Sequence, residues 1–269
     1  MSPTVRTLSF LPQGAPHLIG VIHLPPLPGS PRAQAAVDEI FERAQADAKA
    51  LMDGGIRAAI LENFGDAPFF PDQTPPHVPA LMAAVARALT GSGLALGINV
   101  LRNDARSALA AALAGGASFI RVNVHVGAAV TDQGLIEGRA FETLRYRREI
   151  GAESIAILAD VDVKHAAPLV TRPLEGLARE TAGRGGADAL ILSGEGTGRP
   201  TDLAQVERVK AAVPDHPVLV GSGVTIESAA KTLQSADGAI VGTCLKHDGD
   251  VEAPVDPKRV QRLVEAARH

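Results

Sequence analysis

Residues 154–166, SIAILADVDVKHA, indicate a buried β-strand that ends in charged side chains. Successive residues of a strand point to opposite faces, so the face that begins at Ser154 ends in Asp160, Asp162 and Lys164. An unpaired charge inside a protein is costly, and these charges therefore need partners or a ligand. We expect the first residues of this face to fill a protein interior and the charged ones to surround its opening.

Seven further apolar runs alternate with longer amphipathic segments along the 269 residues of the chain. In the segments 33–55, 78–91 and 202–214, apolar residues recur every three or four positions, which is the period of a helix. A strand followed by a helix, eight times in about 250 residues, is the pattern of a single α/β domain of the (β/α)₈ or TIM-barrel type. The predicted strands are 18–24, 58–63, 95–101, 119–125, 154–161, 189–194, 217–224 and 238–245.

A doubly wound open sheet is the alternative architecture. It would favour a Gly-x-Gly-x-x-Gly sequence after the first strand, where this chain has the proline-rich HLPPLPGSP at 23–31. No linker rich in proline, glycine or serine divides the chain, so we expect one barrel domain over residues 1–269. Residues 1–16 would be an N-terminal extension. Residues 125–139 would be an insertion after the fourth strand, either a lid or an ordinary solvated loop.

Composition argues against several classes of protein. The formal net charge of −4 and an aromatic content of 3% disfavour a nucleic-acid partner, which basic surfaces recruit. The single cysteine, Cys244, has no second cysteine with which to form a disulfide within the chain. The N-terminus lacks the apolar run of a signal peptide, and charged and glycine residues interrupt the best candidate for a membrane span. We expect a cytoplasmic protein without membrane insertion.

Polar side chains follow the predicted strands at their C-terminal ends, where barrel enzymes have their active sites. Glu62 and Asp160 are the candidates for general acid and base, because nearby carboxylates in a mouth of low dielectric constant acquire different pKa values. Asp160 would act on the substrate, while Asp162 and Lys164 would pair with each other. The alternative for the two candidates is a structural ion pair with Arg121 or Lys164.

Lys164 and His165 would assist catalysis. Lys164 is also a candidate for a Schiff base, although the carboxylates beside it favour the charged amine. His23 and His165 could join the acids in a metal site, but no His-x-His or His-Glu-x-x-His spacing supports one, and we expect no metal and no cofactor. The candidate substrate-binding residues are His23, Asn99, Arg121, Asn123, Asp132 and Ser193.

Three glycine-rich turns follow the last three predicted strands: ILSGEGTG at 191–198, VGSGVT at 220–225 and IVGTCLK at 240–246. In many barrels the loops after strands seven and eight bind a phosphate through main-chain N–H groups, and glycine allows the close approach. The alternative is that these glycines only form tight turns. The candidate phosphate-binding residues are Gly194, Gly221, Ser222, Gly223, Gly242 and Thr243.

Several stretches together resemble the BtpA/SgcQ family, over nearly the whole chain from about Leu18 to Val260: GVIHLPPLPGSPR, ILENFGDAPF, NVLRNDA, FIRVNVHVGAAVTDQGLIEG, ADVDVKHA, LVGSGVT and IVGTCLKHDG. The resemblance implies a TIM barrel of the ribulose-phosphate-binding type. The family takes its name from a cyanobacterial protein linked to photosystem I biogenesis. Other members carry names that suggest nucleosidases or proteins of sugar metabolism.

The functional hypothesis is an enzyme that acts on a small phosphorylated sugar or a nucleoside-type molecule. Its carboxylates would catalyse glycosidic cleavage or sugar-phosphate isomerisation, between which the sequence does not choose. The alternative is a non-catalytic assembly or regulatory factor that keeps the barrel as a ligand sensor, and an exposed apolar patch away from the barrel mouth would favour it. Assembly into a homo-oligomer is left open.

Overall fold

Eight parallel strands close into a barrel in the computed structural model, which describes residue 11 and residues 17–162, 166–194 and 200–268. Strands are numbered in chain order, and the barrel order is β1-β11-β10-β9-β7-β4-β3-β2, closed by pairing of β2 with β1. The TIM-barrel prediction is confirmed. The barrel strands are β1 Leu18–His23, β2 Ala58–Glu62, β3 Ala95–Asn99, β4 Phe119–Val122, β7 Ala156–Asp162, β9 Ala189–Leu192, β10 Val218–Val220 and β11 Gly238–Val241.

In the described part of the chain, eight α-helices follow the barrel strands, one after each. Three of them begin at an aspartate whose side chain accepts a hydrogen bond from a main-chain N–H of the first turn: Asp104, Asp202 and Asp256. The helices are α1 Val37–Asp53, α2 His77–Leu89, α3 Ala105–Gly115, α4 Ala140–Glu149, α5 Leu174–Ala182, α6 Leu203–Ala212, α7 Ala229–Ser235 and α8 Pro257–Ala266.

The barrel interior is filled with side chains. Ile60, Phe119, Leu158 and Ile191 belong to an apolar cluster inside the barrel, separate from the larger cluster between the strands and the helices. The packing leaves no room for an added atom: a Cβ atom at Gly97 would lie 2.1 Å from the ring of Phe119. A ligand therefore has room only at an end of the barrel.

The predicted alternation of the opening stretch is confirmed for its central residues. Leu158 lies in the interior cluster, and Asp160 lies above it at the barrel mouth. Ser154 was predicted to fill the lower barrel, and this was wrong: it is exposed in the turn before β7, which begins at Ala156. Lys164 and His165 lie outside the described residues, as does the side chain of Asp162.

The insertion after β4 forms a small antiparallel sheet. Its strands are β5 Ala128–Thr131, β6 Gly134–Glu137 and β8 Ala166–Pro168, with β5 between the other two. Ala129 and Ile136, paired across the hairpin, pack on Val124 just beyond β4. The 125–139 insertion is thus an ordered hairpin, and the lid function expected for it stays a prediction.

Candidate functional site

Polar residues occupy the mouth end of the barrel interior. The register of the parallel strands places His23 beside Glu62 and Glu62 beside Asn99. Interior positions lower on the same strands are apolar, such as Val21 and Ile60. Along each of these strands, every second residue points into the barrel. The inward-facing residues are apolar in the lower barrel and polar at the mouth.

Glu62 is held in a fixed orientation by its neighbours. Asn99 Nδ2 donates to Glu62 Oε1 at 2.8 Å, and His23 Nε2 lies 3.6 Å from Glu62 Oε2. The ring of His23 packs against Phe64 with 4.7 Å between ring centroids. Glu62 is 6% exposed. This buried carboxylate therefore directs one oxygen to an amide and the other to a histidine.

Asp160 forms a buried ion pair with Arg121. Arg121 Nε and Nη2 donate to Asp160 Oδ2 and Oδ1, both at 3.0 Å, and Asn123 Nδ2 donates to Oδ2 at 2.9 Å. Burial disfavours the charge of Arg121, but Asp160 and Glu62 outweigh it, so the pKa of the guanidinium is raised above its usual value. The ion pair that the sequence offered as an alternative for Asp160 is present, and its role in proton transfer stays a prediction.

A cavity of about 190 Å³, the glycine-loop cavity, lies between the mouth and the turns after β10 and β11. His23, Glu62 and Arg121 line one part of it. The other part is lined by Gly223, Val224, Gly242 and Thr243, among others. Within the described residues, the main-chain N–H groups of these four donate no hydrogen bond, unlike that of Thr225, which donates to Ser228 Oγ.

Five of the six predicted phosphate-binding residues line this cavity, and the sixth, Gly194, is hydrogen-bonded to one of them. Ser222 Oγ accepts a hydrogen bond from Gly194 N at 2.9 Å and so joins two of the turns. A Cβ atom at Gly221 would lie 2.5 Å from Ser193 Oγ, and one at Gly242 would lie 3.0 Å from the ring of His23. These two glycines are therefore required for close packing at the mouth, beyond any role in turning the chain.

A second, larger cavity lies on the other side of the ion pair. The sheet-side cavity, of about 640 Å³, is enclosed by the ends of β4 and β7, the small sheet, and helices α5 and α6. Asn123 and Asp160 line its inner end. Sequence patterns did not indicate this cavity, because its walls come from segments far apart in the chain that only the folded sheet brings together.

Two residues differ from expectation. Asp132, a predicted substrate-binding residue, is exposed in the turn of the β5–β6 hairpin and lines neither cavity. Arg102, which is not among the predicted site residues, is only 5% exposed. Burial lowers its pKa, while Asp160, Asp132 and Glu62 act in the opposite direction. The sequence signal that could have identified Arg102 is a positively charged residue directly after a predicted barrel strand.

Two other features bear on the kind of site. Across the described ranges, no three histidine, cysteine or acidic side chains cluster closely enough to bind a metal ion. No helix among the described residues has the length and apolar character needed to cross a membrane.

Comparison with known proteins relates the sequence to one family. The model of the BtpA family matches residues 15–269. The photosystem I biogenesis protein BtpA of Synechocystis is 47% identical over 250 residues, which cover 93% of this chain and 87% of that protein. A protein of Thermococcus kodakarensis is 44% identical, with 93% and 95% covered. The sgc region protein SgcQ of Escherichia coli is 32% identical, with 94% of each chain covered.

Solved structures share the fold at low sequence identity. N-(5′-phosphoribosyl)anthranilate isomerase from Pyrococcus furiosus superposes with a TM-score of 0.55 at 13% identity, over 94% of this chain and 98% of that one. An archaeal fructose 1,6-bisphosphate aldolase gives 0.58 at 14% identity, over 97% and 96%. At these identities the similarity concerns the barrel fold alone.

Proposed function

Because this chain belongs to the BtpA family of proteins, and its barrel mouth holds a carboxylate opposite main-chain N–H donors that no described residue uses, we propose that it is an enzyme acting on a small phosphorylated sugar or nucleoside-type molecule. The single observation that carries the proposal is the glycine-loop cavity. One side of that cavity can hold an anion through main-chain donors, and the other can transfer a proton.

The phosphate would lie against the turns after β10 and β11. Gly223, Val224, Gly242 and Thr243 supply N–H groups there that no described residue uses. Successive main-chain N–H groups in a turn can form a concave site for an anion. Arg121 lines the same cavity, but its charge is balanced by Asp160, so the main-chain donors carry the proposed phosphate site.

Proton transfer is assigned to Glu62. Its Oε2 faces His23 and the cavity, whereas both oxygens of Asp160 already accept hydrogen bonds from Arg121 or Asn123. In glycosidic cleavage Glu62 would protonate the leaving group, and in isomerisation it would move a proton between neighbouring atoms of the sugar. Asp160 would hold Arg121 in place beside the substrate.

A binding screen tests the phosphate site. We expect sugar phosphates, but not the free sugars, to raise the melting temperature of the full chain, since a ligand at 100 times its Kd stabilises a protein by about 2.7 kcal/mol. Gly223→Asp should weaken ribose 5-phosphate through bulk and like charge and leave ribose less affected. Gly151→Asp is the matched control, because Gly151 has a similar φ of 68° against 72° and lines neither cavity.

Equal losses for ribose and ribose 5-phosphate in Gly223→Asp would count against the site. Turnover of the ligands that bind, followed by product analysis, then separates the two reactions: cleavage releases a free base or alcohol, whereas isomerisation conserves mass.

The non-catalytic alternative predicted an exposed apolar patch away from the mouth. Among the described residues, only Leu113 is a large exposed apolar side chain at the opposite end. The others lie on the mouth side, after a barrel strand and no later than the first turn of the helix that follows it: Val37, Phe70, Val130, Leu135, Phe141, Leu169 and Val170. A ligand that stabilises the chain but is never turned over would favour this alternative.

A further inference from the structure

The two cavities at the mouth share one ion pair. Arg121 lines the glycine-loop cavity, and Asp160, to which it donates two hydrogen bonds, lines the sheet-side cavity. A ligand with its phosphate in the first cavity and its remaining part in the second would cross this pair. The sheet-side cavity is the larger of the two, at about 640 against 190 Å³.

The walls of the sheet-side cavity are mainly apolar. Val124 and Val161 line it from the barrel side, Ala129 and Pro168 from the small sheet, and Leu174 and Leu177 from α5. Its volume lies within the range of about 300–1,000 Å³ that is usual for small-molecule sites. Such walls favour a flat apolar group, which gains by leaving water.

The arginines of this cavity do not need a second anion. Arg172 Nη2 lies 2.6 Å from Glu180 Oε1, and Arg208 Nε lies 2.9 Å from Glu175 Oε1. Both lie toward the cavity rim and are already paired with a carboxylate. Their charges are thus balanced within the protein, and the cavity does not have the character of another phosphate site.

Asn123 supplies a buried polar group at the inner end of the cavity. Its Nδ2 donates to Asp160, which determines which way the amide faces, and its Oδ1 has no hydrogen-bond partner within the described residues. Asn123 is 3% exposed and lines the cavity. An unsatisfied buried acceptor costs free energy, which an N–H or O–H group of a ligand would recover.

Resting on the proposed function, we infer that the sheet-side cavity is a subsite for an aromatic or heteroaromatic group on the phosphorylated sugar. The ring lies between the small sheet and α5, and an N–H or O–H donor on it faces Asn123. The substrate class is therefore a sugar phosphate that carries a ring, rather than a simple sugar phosphate.

Calorimetric titration of the full chain tests this subsite. The probes are ribose 5-phosphate and three compounds that add a ring to it: adenosine 5′-monophosphate, cytidine 5′-monophosphate and nicotinamide mononucleotide. At least one ring-bearing probe should bind roughly tenfold or more tightly than ribose 5-phosphate, which corresponds to about 1.4 kcal/mol.

Leu177→Trp should fill the cavity and remove that roughly tenfold gain, with ribose 5-phosphate affinity unchanged. Leu113→Trp makes the same change on an exposed position outside both cavities and should alter neither affinity. Leu174→Phe narrows the same cavity from the start of α5 and serves if Leu177→Trp does not fold.

The outcomes separate the two proposals. If ribose 5-phosphate binds and Gly223→Asp weakens it, but no ring-bearing probe binds more tightly, the aromatic subsite is wrong and the phosphate site stands. If a ring-bearing probe binds more tightly but Leu177→Trp and Leu174→Phe both leave the gain intact, the ring lies elsewhere and the subsite is also wrong. If neither ribose 5-phosphate nor any ring-bearing probe binds, the phosphate site itself is overturned.

Discussion

At the scale of single residues, two carboxylates of the mouth, both among the described residues, have different hydrogen-bond partners. Glu62 contacts one amide donor and one histidine, and it lines the glycine-loop cavity. Asp160 accepts three hydrogen bonds from Arg121 and Asn123. A carboxylate whose oxygens are already engaged is the poorer proton carrier, so the two residues should respond differently to the same amide substitution.

Once an activity is found, Glu62→Gln should lower turnover by about 10²-fold or more, the scale expected for losing a general acid or base. The glutamine keeps an oxygen for Asn99 Nδ2, and the fold should persist. Asp160→Asn should mainly lower stability, because it leaves the buried guanidinium of Arg121 without a counter-charge. Steady-state kinetics measures the turnover of both variants, and urea unfolding measures their stability. A folded Asp160→Asn protein with the greater loss of turnover would return the proton transfer to Asp160.

At the scale of elements, a buried ion pair ties the segment after β11 to α1. Lys246 Nζ lies 2.8 Å from Asp47 Oδ2 on α1, and Val255 N donates to Asp47 Oδ1 at 2.8 Å. Burial lowers the pKa of Lys246, and Asp47 partly opposes that shift. Both side chains are almost fully enclosed. One aspartate thereby holds both ends of the 246–255 segment, which begins directly beyond the glycine-loop cavity.

Lys246→Met should lower the free energy of unfolding by about 3–5 kcal/mol, since it leaves Asp47 buried without its cation. The double variant Lys246→Met/Asp47→Asn should be more stable than the single one, because the asparagine is neutral and still accepts from Val255 N. Lys49→Met, which removes an exposed pair with Asp53 on the same helix, should change stability little. Denaturant unfolding compares the three. Equal losses for Lys49→Met and Lys246→Met would contradict the assignment.

At the scale of the whole molecule, stability should depend on pH through His125. His125 is 1% exposed just beyond β4, and its Nε2 lies 2.8 Å from Gly185 O in the turn after α5. Burial lowers its pKa below the usual value, the Gly185 carbonyl acts in the opposite direction, and Arg147 lowers it further. The folded protein therefore holds this histidine neutral at pH values where the unfolded chain binds a proton.

The contribution of His125 should be fully present above its unfolded pKa of about 6.5 and should decrease as the pH falls towards the lower folded value. His125→Gln keeps a donor for Gly185 O and should flatten the decrease in urea midpoint between pH 7 and pH 5. His247→Gln, at a side chain that is 55% exposed, is the control and should leave the slope unchanged. An unchanged slope in His125→Gln would show that another group causes the decrease.

The amino-acid sequence alone determined the barrel fold and the end of the barrel at which the polar residues lie. The eight apolar runs are all barrel strands, and alternation along each strand correctly placed Glu62, Asn99, Arg121 and Asp160 at the mouth. These are local properties, because apolar periodicity and strand polarity are written in consecutive residues. The start of β7 was misjudged by two residues, since a turn and a strand end differ little in composition at Ser154.

Tertiary structure decided which polar residues pair and where a ligand has room. Asp160 pairs with Arg121, 39 positions earlier, and the sheet-side cavity needs β8, three residues long with a proline, to pair with β5. Neither contact has a local signature, because each depends on strand neighbours that are distant in the chain. Hydrogen-bond partners across a barrel follow from strand order and register, which exist only once the sheet has closed.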